Sequence, residues 1–210
     1  MKILLATQKP FAAAAVNGIR SILEEAGNEV VLLEKYAGED ELVAAVADVE
    51  AMIIRSDKVT ARVLDAAPKL KIVVRAGAGF DNVDLAAATA HGVVVENTPG
   101  QNSNAVAELA IAMMIYMSRN QFTPATGTEI SGKTVGIQAF GNVGRLVGQK
   151  AAALGMKVKA VDPFIPAEKI AEAGAEPVAD VAALYSSSDF VSVHIPALPS
   201  TIGSIGYDLI

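Results

Sequence analysis

The stretch Val135-Gly136-Ile137-Gln138-Ala139-Phe140-Gly141-Asn142-Val143-Gly144-Arg145 runs from a short apolar segment through a glycine turn into a helical pattern. Such a turn can receive the pyrophosphate of a dinucleotide. Gly141 lets the backbone approach the anion, Gly144 lets the helix pack close on the strand, and the free N–H groups of Asn142 and Val143 present the positive end of the helix. Ala139 stands where the first glycine of the G-x-G-x-x-G fingerprint falls, and a methyl is tolerated there if the backbone keeps a negative φ. By itself the turn reads equally well as a structural corner. Asp162 adds weight: it closes the next apolar run 18 residues after Gly144 (162 − 144), close to the usual spacing of about 20. A carboxylate there accepts hydrogen bonds from both hydroxyls of an adenosine ribose and repels a 2′-phosphate. No arginine in Pro163-Phe164-Ile165-Pro166 could receive that phosphate, so the pattern points to NAD over NADP.

A second constellation lies earlier. Arg55 follows the apolar run Ala51–Ile54, and Arg75 follows Lys71–Val74 and leads into Ala76-Gly77-Ala78-Gly79-Phe80-Asp81-Asn82. Two guanidinium groups beside a glycine turn with open N–H groups make a receptor for an anion carrying carboxylate and phosphate. The plain alternative is surface ion pairing with Asp57 or Asp81. The two histidines are weaker signals. His91 reads as the C-terminal residue of a helix, complementing its dipole; His194, before Ile195-Pro196, sits where a strand should end and could line a cofactor pocket. The Met113-Met114-Met117 stripe is expected to be helix core. No metal-ligand spacing occurs.

These residues need elements to hold them, and the chain alternates short aliphatic runs with Ala-rich amphipathic stretches, the pattern of parallel strands with crossover helices. Strands are expected at Ile3–Ala6, Val30–Leu33, Ala51–Ile54, Lys71–Val74 and Val93–Glu96, with helices at Phe11–Ala26, Glu39–Ala47, Thr60–Ala67 and Asp84–His91. Thr98-Pro99-Gly100-Gln101-Asn102-Ser103 breaks the pattern, which places a domain boundary between residues 1–98 and 99–210, and Asn102 or Ser103 can cap the following helix, Asn104–Arg119. A second series then has three strands, Thr134–Gln138, Lys157–Val161 and Phe190–His194, with a helix at Asn142–Leu154 and shorter ones from Ala167 and near Ala179–Leu184. Gly206–Ile210 reads as the opening of a further helix, as though the chain ended within a fold.

Composition fits this α/β reading. The chain has 210 residues, 52% hydrophobic and 19% charged, with no cysteine, which excludes disorder, disulfide scaffolds and cysteine-ligated zinc. A net charge of −6 makes nucleic acid and anionic membranes unsuitable partners. The longest apolar run, Leu109–Met117, is far shorter than the roughly 18 residues of a membrane span. The apolar N-terminal stretch is too short for a signal peptide, so a cytoplasmic location is expected.

Together, Arg75-Ala76-Gly77-Ala78-Gly79-Phe80-Asp81-Asn82-Val83-Asp84, Asn97-Thr98-Pro99, Ala105-Val106-Ala107-Glu108, the Gly141–Arg145 turn, and Val193-His194-Ile195-Pro196 with Thr201 and Gly203 resemble the D-2-hydroxyacid dehydrogenases over the whole chain. Arg55-Ser56 and Arg75 bring it nearest to the members that act on a phosphorylated acid. The resemblance implies a flavodoxin-like substrate domain followed by the adenine-binding half of a Rossmann domain. It implies oxidation of 3-phosphoglycerate to 3-phosphohydroxypyruvate with NAD, the entry to serine biosynthesis, in a homodimer to whose interface the Asn104–Arg119 helix contributes. Arg55 and Arg75 would then face the phosphate side of the substrate, and Gly77, Ala78 and Gly79 its carboxylate. Ala78, Val106, Gly141, Asn142, Val143, Gly144, Asp162, His194, Ile195 and Pro196 would meet the cofactor. The family's catalytic arginine, glutamate and histidine come from a stretch later than Ile210, so the 210 residues are expected to bind and not to turn over. Three alternatives stay open: a non-catalytic module binding nucleotides or anions, an interaction subunit whose missing half another chain supplies, and a relative acting on glyoxylate, glycerate or lactate.

Overall fold

A computed structural model describes residues 1–209. It divides into two compact units, Met1–Gln101 and a second from Asn102 onward. In the first, β1 (Lys2–Thr7), α1 (Ala13–Glu25), β2 (Glu29–Glu34), α2 (Glu39–Ala45), β3 (Ala51–Ile54), α3 (Ala61–Asp65), β4 (Ile72–Arg75), α4 (Leu85–Ala90) and β5 (Val94–Asn97) follow one another. All strand pairs are parallel, in the order β2-β1-β3-β4-β5. This is the flavodoxin-like order, whose switch point lies between β1 and β3. The inner strands are nearly all apolar because both of their faces are covered; Leu4, Leu5, Met52 and Ile54 are fully buried, and Leu42 of α2 and Leu64 of α3 close the core. Thr60 and Asp84 start α3 and α4 by accepting the N–H groups of Val63 and Ala87 on their side-chain oxygens, which satisfies donors that the helix cannot.

The second unit contains α5 (Ser103–Ser118), β6 (Thr134–Gln138), α6 (Asn142–Ala153), β7 (Lys157–Val161), α7 (Ala167–Glu172), β8 (Glu176–Pro177), α8 (Val181–Ser186) and β9 (Phe190–Val193). Its parallel sheet runs β8-β7-β6-β9, matching the first four strands of the 3-2-1-4-5-6 dinucleotide-binding order, with the switch point between β6 and β9. Three strands are expected from the sequence and four are found. The extra one, β8, has two residues paired to Lys159 and Ala160; a segment that short, ending in proline, has no alternation to detect. Asn102 occupies the N-cap position of α5 without a side-chain capping bond. The closing segment forms a short 3-10 turn, Tyr207–Leu209, and Ile210 lies outside the described residues.

The methionine stripe is a clear correction. Met114 is buried at 7% exposure with Ala107 and Ile111, but Met113 is 59% and Met117 58% exposed, on a face with Leu109 and Tyr116. Adjacent residues on a helix point about 100° apart, so Met113 and Met114 cannot share one face. Beyond α5, Asn120, Gln121 and Phe122 all have positive φ, and this left-handed turn sets the Phe122 ring edge-on to Tyr116 with centroids 5.2 Å apart. No helix among the described residues is long and apolar enough to cross a membrane.

Candidate functional site

In the second unit the glycine turn joins β6 to α6. Gly141 is the N-cap, no side chain caps the helix, and Arg145 N–H is the first to bond back, to Gly141 C=O. The N–H groups of Asn142, Val143 and Gly144 therefore point out of the helix end without partners among the described residues. A Cβ on Gly141 would meet nothing within 4 Å, whereas one on Gly144 would run into the Ala139 carbonyl. The two glycines thus serve the separate needs of access and close packing. Ala139 departs from expectation: its φ is +74°, not negative. Its N–H is tied to Val161 C=O, and the close approach of Gly144 to its carbonyl holds the turn in a shape that glycine adopts without cost.

Asp162, after β7, is half-buried, and its oxygens accept from Phe140 N–H and Phe164 N–H, both at 2.8 Å. A carboxylate has about four acceptor positions, so each oxygen keeps capacity for a hydroxyl. Asp162 also lines a cleft of about 490 Å³ together with Ala139, Pro163, Ile165, Val178 and Ile195. Its volume falls within the roughly 300–1,000 Å³ of ligand pockets. A largely apolar slot with Asp162 and Asp180 at its wall, near a helix end with three open N–H groups, has the donors and acceptors that an adenosine joined to a pyrophosphate needs. His194 N–H continues the ladder to Gln138 C=O, its Nε2 lies 2.9 Å from Ser192 Oγ, and burial lowers the imidazole pKa. Pro196 is exposed. Val106 of α5 is 36% exposed and does not line this cleft.

In the first unit, Arg55, Arg75 and Gly77–Gly79 gather at the carboxyl edge of the sheet. Arg75 is the last residue of β4 and pairs in register with Ile54, so Arg55 lies one step further along its own strand. Neither arginine forms an ion pair among the described residues. Arg55 is exposed, while the Arg75 guanidinium is folded onto Gly77, with Nε buried and lacking a partner. The glycine loop is held from outside by Asn97 Nδ2 on Ala78 C=O (2.6 Å) and Thr98 N–H on Gly77 C=O (2.9 Å). The N–H groups of Ala78 and Gly79 stay open. Two guanidiniums without ion-pair partners and two free N–H groups on one edge have the chemistry to receive an anion.

Two contributors escape a reading of the sequence. Arg145 Nε donates to Phe140 C=O at 3.1 Å and braces the glycine turn; its place beside Gly144 is the only hint. Asp57, expected at most as an ion-pair partner of an arginine, instead accepts bonds from three loops. His91 caps α4 as expected and meets Asp65. Among the described residues no group of three His, Asp or Glu could hold a metal ion.

Fold and sites describe an α/β protein built as the dehydrogenases of two-domain type are. The sequence model described as "D-isomer specific 2-hydroxyacid dehydrogenase, catalytic domain" matches residues 11–184, and the chain belongs to this family. It is 44% identical over 180 residues to a D-3-phosphoglycerate dehydrogenase of Mycobacterium bovis, covering 79% of this chain and 34% of that protein. With the enzyme of the same name from Rattus norvegicus it shares 43% identity over 199 residues, 88% of this chain and 37% of the other. The crystal structure of NAD+-bound 3-phosphoglycerate dehydrogenase from Entamoeba histolytica superposes with a TM-score of 0.93 at 45% identity, covering 100% of this chain and 67% of that one. The chain thus spans about a third of the length of the curated relatives it matches.

Proposed function

We propose that this chain serves the NAD-dependent oxidation of 3-phosphoglycerate to 3-phosphohydroxypyruvate, the first unit receiving the phosphorylated acid and the second the adenosine and pyrophosphate of NAD. The observation that carries the reading is the pair of arginines without acidic partners at the edge where Ala78 and Gly79 leave their N–H groups open. Identity of 44% to a D-3-phosphoglycerate dehydrogenase supports the phosphorylated substrate. When bound, NAD supplies the acceptor for the hydride that leaves C2 of the hydroxy acid. This chain's residues bind and orient: the Gly77–Gly79 loop takes the carboxylate, Arg55 and Arg75 the phosphate side, Asp162 the ribose hydroxyls, and the N–H groups of Asn142 to Gly144 the pyrophosphate. Asp162 leaves no room for the charge of a 2′-phosphate.

The protein works as a homodimer in this reading. The exposed stripe Leu109, Met113, Tyr116 and Met117, extended by Phe122, is the apolar face that a second copy would cover. A soluble, cytoplasmic setting agrees with these roles.

The testing experiment is a calorimetric comparison of 3-phosphoglycerate, D-glycerate and D-lactate as ligands of the purified chain. The phosphorylated acid is expected to bind at least about tenfold more tightly, since a hydrogen bond to a charged group contributes about 1.5–3 kcal/mol. Equal affinities would move the reading to an unphosphorylated 2-hydroxy acid.

A further inference from the structure

The first unit buries one carboxylate that the proposed reaction does not use. Asp57 is 4% exposed and has no cation against it among the described residues. Burying a carboxylate is costly unless donors replace its water, and here they come from separate places in the fold. Oδ1 accepts from Gln8 N–H at 2.7 Å and from Tyr36 Oη–H at 2.6 Å; Oδ2 accepts from Arg55 N–H at 3.3 Å. The Asp57 carbonyl accepts from Asn82 Nδ2 at 2.7 Å. Gln8 follows β1, Tyr36 follows β2, Arg55 follows β3, and Asn82 ends the glycine loop that follows β4. One residue therefore ties together the carboxyl ends of four adjacent strands. It does so at the switch point between β1 and β3, where open α/β sheets hold their ligands. Val59 N–H on Asn82 C=O and Asp84 N–H on Val59 C=O add a second seam between the same two loops. Burial and the neighbouring carboxylate raise the Tyr36 phenol, which keeps it a donor.

We propose that Asp57 is a positioning residue for the anion receptor: its buried carboxylate fixes the Arg55 backbone, and its carbonyl fixes the far end of the Gly77–Gly79 loop through Asn82. The proposal rests on the reading of Arg55 as a ligand for the substrate phosphate. A carboxylate suits the task because it accepts from three donors at once, which no neutral side chain of that size does. Asp57→Asn is the selective change. An amide oxygen can stay with Gln8 N–H and Tyr36 Oη–H, while the amide NH2 then faces Arg55 N–H, donor against donor.

The test is a double-mutant cycle read by calorimetric titration of 3-phosphoglycerate into the full chain, comparing wild type, Arg55→Ala, Asp57→Asn and the double variant. Asp57→Asn is expected to weaken binding about three- to tenfold beside Arg55 and to change nothing further beside Ala at that position. The Arg55 amide resonance should also move upfield on Asp57→Asn, as it loses its carboxylate acceptor. Should that variant fold poorly, Tyr36→Phe removes one donor and should give a smaller loss with the same dependence on Arg55. No loss beside Arg55, or the same loss in both backgrounds, overturns the proposal while the phosphate reading stands. Unchanged affinity of Arg55→Ala overturns that reading and the proposal with it.

Discussion

The guanidinium of Arg75 occupies the space that a Cβ on Gly77 would fill. Gly77 is thus the surface on which the arginine lies, and the two form one feature of the proposed anion receptor. Gly77→Ala should push the guanidinium aside and weaken 3-phosphoglycerate binding about tenfold, the order of a lost charge-assisted hydrogen bond. Arg75→Ala should cost as much, and the double variant no more than either. Calorimetric titration of the three variants checks this; wild-type affinity in Gly77→Ala would show that the contact has no bearing on binding.

Ala139 holds φ at +74°, a region that costs an L-residue about 1–2 kcal/mol. Ala139→Gly relieves this strain and restores the glycine of the usual fingerprint, at a cost of about 0.5–1 kcal/mol in unfolded-chain freedom. The expected outcome is a net gain of up to about 1.5 kcal/mol in denaturant unfolding. A loss would mean that the methyl makes compensating contacts.

Much of this was legible in the sequence, and the misses share a cause. Strands such as Ala51–Ile54 and Thr134–Gln138 are continuous apolar runs and announce themselves, as does the spacing from Gly144 to Asp162. The sign of φ at Ala139 is set by the Val161 carbonyl and the approach of Gly144, tertiary facts that no local pattern carries. Met113 and Met117 look like core because hydrophobicity does not say which partner covers a face. Asp57 is bonded from positions 8, 36 and 82, so its role appears only once four strands lie side by side.

Burial holds the His194 imidazole below its ordinary value of 6.5. The unfolded chain then takes up this proton at a higher pH than the folded one. As pH falls below 6.5 toward the folded-state value, the unfolded state binds more protons and stability declines. Thermal midpoints from about pH 7.5 to about pH 5.5 should drop more steeply in wild type than in His194→Asn. Parallel curves would show that this group does not contribute.

The apolar stripe on α5 predicts that Leu109→Lys with Met113→Lys lowers the mass seen by sedimentation equilibrium from two chains to one, with the circular dichroism spectrum unchanged. Each placed charge would have to be desolvated in the interface. A wild-type chain that sediments as a monomer would show that the stripe is not a dimer face.

If the second unit holds the adenosine of NAD with Asp162 on its ribose, calorimetric titration of NADH into wild type and Asp162→Asn will show it. Asparagine keeps an acceptor for only one of the Phe140 and Phe164 N–H groups, which bond to different oxygens, and lacks the charge and the second acceptor that the ribose hydroxyls require. Saturable binding to wild type, weakened about tenfold or more in the variant, is the predicted result. A folded wild-type chain that does not bind NADH, or a variant that binds as tightly as wild type, would contradict it.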